Sequence, residues 1–206
     1  MVERQIRRRG VRDRDLLAAM ERVPRHRFVP ERYAAEAYAD GPVPIGDDQT
    51  ISQPYVVAAM TEALGLKRGT HVLEIGAGSG YQTAVLLELG VRVTAIERLP
   101  RLADEAERRL HALGYEGFTM SAGDGSLGCT DAERFAGILV AAAAPLVPAA
   151  LLDQLSPGGR LVMPVGKRRA QELLVMTRTR RGEIVERSLG SVVFVPLLGA
   201  GGFSNP

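Results

Sequence analysis

Glu74-Ile75-Gly76-Ala77-Gly78-Ser79-Gly80 is the stretch on which the fold of this 206-residue chain turns. It follows the β-favouring run His71-Val72-Leu73 and precedes a helical pattern from Tyr81 to Leu89 that Gly90 closes. Glycines at such a strand-to-helix junction allow a tight turn and let a ligand touch backbone directly. The alternation continues downstream. Val91 to Ile96 reads as a strand, and Arg101 to Leu113 carries Leu102, Ala106, Leu110 and Leu113 at helical spacing. Phe118 to Ala122, Gly137 to Ala142 and Arg160 to Val165 read as further strands, with a helix beginning at Pro148 and stopping before Pro157-Gly158-Gly159. Such alternation specifies βαβ units, hence an α/β fold with a doubly wound, mostly parallel sheet. Glu172 to Thr179 and Ile184 to Phe194 are β-like runs joined by Arg180-Arg181-Gly182-Glu183, with no helix between them; this predicts an antiparallel C-terminal edge.

The upstream third is different. Asp13 to Val23 places Leu16, Leu17, Met20 and Val23 on one helical face, ended by Pro24. Ala34 to Tyr38 suggests a second, short helix, residues 40–53 read as a loop bearing proline and glycine, and Pro54 opens a helix to Leu64 before Gly65. The expected organisation is a single domain over 1–206, with a helical N-terminal layer and active-site loop over 1–69 and a Rossmann-like sheet over 70–206.

Composition limits the function classes. Apolar residues are 46% and charged residues 24%, which excludes a disordered or fibrous chain. A net charge of +2 is too small to make nucleic acid the main partner. Residues 1–32 hold ten arginines against five acids, but these are interleaved with Asp13, Asp15 and Glu21, as on a solvated helix face. The lone Cys129 leaves no intramolecular disulfide and fits a reducing compartment. His26, His71 and His111 are scattered, so no metal is expected. The apolar run after the Arg-rich start is too short for a signal-peptide core, and Pro145 and Pro148 break the stretch from Gly137 to Leu152. A cytoplasmic protein with no membrane partner is the expectation.

The glycine turn also selects among ligands. A dinucleotide fingerprint needs glycine at its first, third and sixth positions; here the sixth is Tyr81. Glu74 puts a carboxylate near the ligand and favours a cation over a phosphate. Glu97, at the end of the next strand, is placed to meet a ribose hydroxyl, and Asp124-Gly125 to meet an adenine amino group. S-adenosylmethionine, with an ammonium and a sulfonium but no phosphate, suits that polarity. In Thr50-Ile51-Ser52-Gln53-Pro54, spacing alone favours ordinary capping of the helix by Thr50 or Ser52.

A wider set of segments carries a family resemblance. Val23-Pro24-Arg25-His26-Arg27-Phe28-Val29-Pro30, Thr50-Ile51-Ser52-Gln53-Pro54-Tyr55, the glycine turn with Tyr81, Ile96-Glu97-Arg98, Gly123-Asp124-Gly125 and Phe194-Val195-Pro196-Leu197 occur in that order. Over nearly its whole length the chain resembles the protein-L-isoaspartate O-methyltransferase family. The resemblance implies a class I S-adenosylmethionine-dependent methyltransferase fold in which the order of the last two strands is altered. It implies S-adenosyl-L-methionine as methyl donor, S-adenosyl-L-homocysteine as product, and isoaspartyl-containing peptides and proteins as partners, with D-aspartyl residues as a further acceptor. The methyl ester leads to a succinimide that reopens partly to normal aspartate. Ser52 is then the catalytic residue. Thr50, Ile51, Gln53, Glu74, Gly76, Gly78, Ser79, Gly80, Glu97, Arg98, Asp124 and Gly125 hold the cofactor, while Ser52, Val195, Pro196 and Leu197 meet the substrate, the last three as a strand paired with it. A carboxylate of pKa about 4 is already ionised at neutral pH, so the expected role of Ser52 is positioning rather than proton transfer.

Three positions depart from that pattern: Asp47-Asp48 before Gln49 in place of a glycine, Ala136 in place of an acid, and Ala141 in place of a threonine. Asp47-Asp48 motivates an alternative acceptor, ordinary aspartate in a dedicated peptide. A catalytically silent S-adenosylmethionine-binding module, a nucleic-acid methyltransferase or RNA-binding protein using the Arg-rich N-terminus, and a nicotinamide oxidoreductase are the remaining alternatives. A monomer is expected.

Overall fold

The computed structural model describes residues 1–130 and 134–204, so 131–133 and the last two residues of the 70–206 sheet region lie outside it. Helix α1 (Arg14–Arg22) starts where the Asp13 carboxylate accepts hydrogen bonds from the N–H groups of Asp15 and Leu16, at 2.9 and 3.0 Å. A hairpin of β1 (Val43–Gly46) and β2 (Gln49–Ile51) comes next. Helix α2 (Pro54–Leu64) has its proline in the first turn, where a missing N–H costs nothing, and Gly65 behind it in a left-handed conformation. Strands and helices then alternate as β3 (His71–Ile75), α3 (Tyr81–Glu88), β4 (Arg92–Glu97), α4 (Pro100–Ala112), β5 (Phe118–Ala122), β6 (Phe135–Val140), α5 (Ala149–Asp153) and β7 (Leu155–Lys167). The chain ends its sheet with β8 (Ala170–Arg178) and β9 (Ile184–Val192).

Among the described residues the main sheet has seven strands in the order β5-β4-β3-β6-β7-β8-β9. The pairs from β5 to β7 are parallel, and β8 and β9 add antiparallel pairs, giving the class I methyltransferase arrangement with its last strands in sequential order. The chain leaves β3 in one direction and returns to its other side at β6, so the topological switch point lies between the carboxyl ends of these two strands. At that level Gly76 N–H donates to the Ile96 carbonyl and Ala141 N–H to the Ile75 carbonyl, both at 2.8 Å. Three loops therefore open side by side into one crevice.

Both sheet faces are covered. Leu73, Ile75, Ile138, Val140, Leu161 and Met163 pack on one side with Leu151 and Leu197, while Leu139, Val162 and Val175 meet Met60 and Leu64 of α2 on the other. This period-two division, with β3 and β6 almost wholly buried, is what a parallel sheet between helical layers demands. The N-terminal layer shares a core with α3 and α4: Leu16, Leu17, Met20, Phe28 and Ile51 pack with Tyr81, Val85, Leu102 and Leu110.

Some sequence expectations change. The short helix placed at Ala34 to Tyr38 is a tight three-residue-per-turn segment over Glu31–Glu36. The loop at 40–53 contains the β1–β2 hairpin, whose turn is made by Asp47 and Asp48 with φ of 49° and 56°. A two-residue hairpin turn of the left-handed type requires positive φ at both positions, and aspartate tolerates it better than most residues with a Cβ. Strand β7 runs through Pro157-Gly158-Gly159 instead of starting at Arg160: its pairing with β6 jumps from Phe135–Leu155 to Gly137–Arg160, so the proline and glycines sit in a bulge. Residues 2–9, read from sequence only as Arg-rich, form helical turns that bury Val2 and Ile6. No helix among the described residues is long and apolar enough to cross a membrane.

Candidate functional site

The crevice at the switch point holds two adjoining cavities. The smaller, about 130 Å³, lies against the glycine turn and the ends of β3, β4 and β6. The larger, about 740 Å³, lies between the start of α2, residues Arg9–Val11 and the chain leaving β9. Thr50, Ser52, Ala141 and Val195 line both. The partly buried Ser52 thus stands at the seam between them, on the short link from β2 to α2.

The glycine turn is shaped by contact on both sides. Gly78 has φ of +54°, and a Cβ there would meet Ile45 of the hairpin at 3.3 Å. Gly78 N–H donates to Glu97 Oε2 at 2.8 Å, and Leu99 N–H to Glu97 Oε1 at 3.0 Å, so the buried Glu97 carboxylate ties the turn to the end of β4. Gly125 approaches β3 so closely that a Cβ would collide with the Ile75 side chain. The floor is thus backbone plus one carboxylate. Glycine backbone with an acid at the end of β4 and Arg98 beside it suits an adenosyl ligand.

The cofactor residues expected from sequence divide into two groups. Thr50, Ile51, Gly76, Gly78, Ser79, Glu97, Arg98 and Gly125 line the small cavity. Gln53, Glu74, Gly80 and Asp124 do not. The Gln53 amide donates to Asp40 Oδ1 at 2.7 Å, and Gln53 lines the large cavity instead. Gly80 caps α3 and lies under Ala106 and Leu110 of α4. Asp124 turns to the C-terminal segment, accepting from Ser126 N–H and Oγ–H at 3.0 and 2.6 Å and from Ala200 N–H at 2.8 Å. Burial pushes its pKa up, but the Ser126 and Ala200 hydrogen bonds with the nearby Arg98 charge outweigh this and hold it below the usual value.

Glu74 lies one layer beneath the cavity, on the side facing α3. It is fully buried; its Oε2 accepts from Thr83 Oγ at 2.7 Å, and its Oε1 has no partner among the described residues. Burial pushes its carboxyl up to about 7, with the Thr83 hydrogen bond opposing and the Glu97 charge adding to the rise.

Val195, Pro196 and Leu197 reach the site, and one edge of this segment is already paired. The Val195 carbonyl accepts from Ala143 N–H at 2.8 Å and Leu197 N–H donates to the Ala143 carbonyl at 2.7 Å, so those backbone groups already pair inside the protein. Val195 alone of the three also lines the large cavity.

Several site residues escaped the sequence reading. Tyr81, Gln82, Met60 and Ala142 line the small cavity, and Arg9, Arg160 and Arg187 line the large one. Among the described residues the only acid lining the large cavity is Glu62, whose Oε1 is occupied by the N–H groups of Arg12 and Asp13 at 2.6 and 2.8 Å. Among so many arginines, nothing in local spacing marks these three. Asp47 and Asp48 line neither cavity; Asp47 is ion-paired with Arg101 of α4. Ala136 is likewise outside both, and of the three departures only Ala141 sits in the site.

The family model described as protein-L-isoaspartate(D-aspartate) O-methyltransferase matches residues 1–201. A protein-L-isoaspartate O-methyltransferase of Methanoculleus marisnigri is 49% identical over 205 residues, covering 100% of this chain and 93% of its own. One of Methylorubrum populi is 54% identical over 198 residues, covering 96% of this chain and 93% of its own. A crystal structure from Plasmodium falciparum, titled as a protein of that activity in complex with S-adenosyl-L-homocysteine, aligns with a TM-score of 0.80 at 26% identity, covering 93% of this chain and 94% of that one.

Proposed function

Since the chain belongs to the protein-L-isoaspartate O-methyltransferase family, we propose a division of labour in which the small cavity takes the methyl donor and the large one the damaged peptide, with Ser52 between them. The enzyme is an S-adenosylmethionine-dependent protein carboxyl O-methyltransferase that esterifies the free carboxylate of L-isoaspartyl residues. S-adenosylmethionine supplies, when bound, a methyl group made electrophilic by its sulfonium.

The residues of this chain bind and align. Gly76, Gly78 and Gly125 let the ligand lie on backbone, and the Glu97 carboxylate faces the adenosyl cavity from the end of β4. Arg9, Arg160 and Arg187 give the large cavity a cationic wall that draws an ionised acceptor. The Ser52 hydroxyl donates a hydrogen bond that orients one carboxylate oxygen. No proton moves, because an acceptor of pKa about 4 is ionised before it arrives. Once esterified, the acceptor has lost the charge that the arginine wall attracts, which favours release. Alignment and exclusion of water therefore carry the rate enhancement.

The observation that supports this reading is the shared seam: two cavities of unequal size, the larger one lined by three arginines, meet at Ser52, Thr50, Ala141 and Val195. The alternative acceptor, ordinary aspartate, was suggested by Asp47-Asp48, and these residues lie away from both cavities. We place the protein in the cytoplasm as a monomer acting on polypeptides; its single Cys129 suits a reducing compartment. The deciding experiment offers matched isoaspartyl and aspartyl peptides with methyl-labelled S-adenosylmethionine and scores base-labile methyl ester. Label in the isoaspartyl peptide alone is expected. Label in the aspartyl peptide alone overturns the reading.

A further inference from the structure

Behind the seam lies a buried arginine that holds two backbone carbonyls from the protein interior. Arg25 is fully buried, and no carboxylate pairs with it among the described residues. A buried cation without a counter-charge is costly, and burial accordingly lowers its pKa despite the opposing influence of Tyr81. Its bonds are all to groups that frame the acceptor loop. Nε donates to the Ala37 carbonyl at 2.6 Å and Nη2 donates to the Ser52 carbonyl at 2.8 Å. The guanidinium carbon sits 4.7 Å from the centre of the Tyr81 ring, and Phe28 packs edge-on against that same ring at 5.5 Å. Nη1 has no partner. Tyr81 in turn lines the small cavity.

One side chain therefore joins the turn after Pro24, the segment before β1, the carbonyl of Ser52 and the first residue of the helix that follows the glycine turn. A planar donor fork is needed to reach two carbonyls while stacking on a ring; a lysine ammonium supplies a point charge and no stacking plane.

We infer that Arg25 is the positioning residue of the methyl-acceptor loop: by gripping the Ser52 carbonyl from the protein interior it fixes where the Ser52 hydroxyl meets the substrate carboxylate. This rests on the role given to Ser52 above. Arg25 lines neither cavity and touches no reacting atom, so its effect passes through Ser52.

The test is a double-mutant cycle of Arg25→Lys and Ser52→Ala, with kcat expressed per S-adenosylhomocysteine-binding site so that misfolded chain does not count. Arg25→Lys is expected to lower kcat between about ten- and a hundredfold while leaving S-adenosylhomocysteine affinity within about twofold. In the Ser52→Ala background the same replacement is expected to have almost no further effect on kcat. Full additivity of the two losses, an unchanged kcat in Arg25→Lys, or a chain that binds no S-adenosylhomocysteine overturns the inference and leaves Ser52 standing. Full turnover by Ser52→Ala overturns the role of Ser52, and this inference with it.

Discussion

Two acids on the neighbouring strands β3 and β4 show how the same residue type is set to different tasks. Glu97 accepts two backbone N–H bonds and holds the glycine turn, whereas Glu74 is buried beneath it with one oxygen unpartnered. With its carboxyl raised from 4.5 to about 7, the folded protein keeps a proton that the unfolded chain gives up. Folding stability is then highest below the unfolded value and falls as pH rises through the folded one. Denaturant titrations near pH 5 and near pH 8 are expected to differ by about 3 kcal/mol from this group, and Glu74→Gln to remove most of that difference. Equal slopes in the two proteins contradict the assignment. Glu74 was legible in sequence as an acid at the right place, but spacing does not say whether a side chain lies in a cavity or one layer below. Nor does it say that the amide of Gln53 is taken by Asp40. Ser52 was marked by the family resemblance alone, since spacing favoured a helix cap that the structure lacks: no side chain caps α2.

At the level of elements, the parallel strands and their helices were readable because burial on both faces leaves continuous apolar runs bounded by glycine and proline. The β1–β2 hairpin was not, since its turn is Asp47-Asp48 and carries none of the usual glycine signal. Both residues hold a left-handed backbone that costs a residue with a Cβ about 1 kcal/mol. Asp47 uses its side chain to reach Arg101; Asp48 makes no such contact in the hairpin turn. Replacing Asp48 by glycine is therefore expected to raise stability by about 0.5 kcal/mol, the relief of strain exceeding the added chain entropy, with methyl transfer unchanged. Thermal melts and initial rates check both. A loss of stability contradicts the strain argument, and a changed preference between isoaspartyl and aspartyl peptides revives the idea that this turn selects the acceptor. The C-terminal segment Val195 to Leu197 has the extended pattern of a docking strand, and one of its edges pairs with Ala143 of the same chain.

Across the whole molecule a net charge of +2 hides a local imbalance, with Arg9, Arg160 and Arg187 drawn from three distant parts of the sequence to one cavity. Composition cannot show such clustering, because it depends on the hairpin edge and the N-terminal turns folding against α2. If this wall captures an anionic acceptor, KM for an isoaspartyl peptide rises as ionic strength increases from about 0.05 to about 0.5 M, where screening shortens from over 10 Å to a few ångströms. The kcat at saturating peptide is expected to stay level, since alignment at Ser52 is short-ranged. A KM indifferent to salt contradicts the electrostatic role. The most direct measurement is a crystal structure of the enzyme with S-adenosylhomocysteine and an isoaspartyl peptide together. The expected result is the thioether in the small cavity and the peptide carboxylate in the large one, with Ser52 Oγ hydrogen-bonded to that carboxylate. A carboxylate seated beyond reach of Ser52, or an adenosyl group outside the glycine turn, contradicts it.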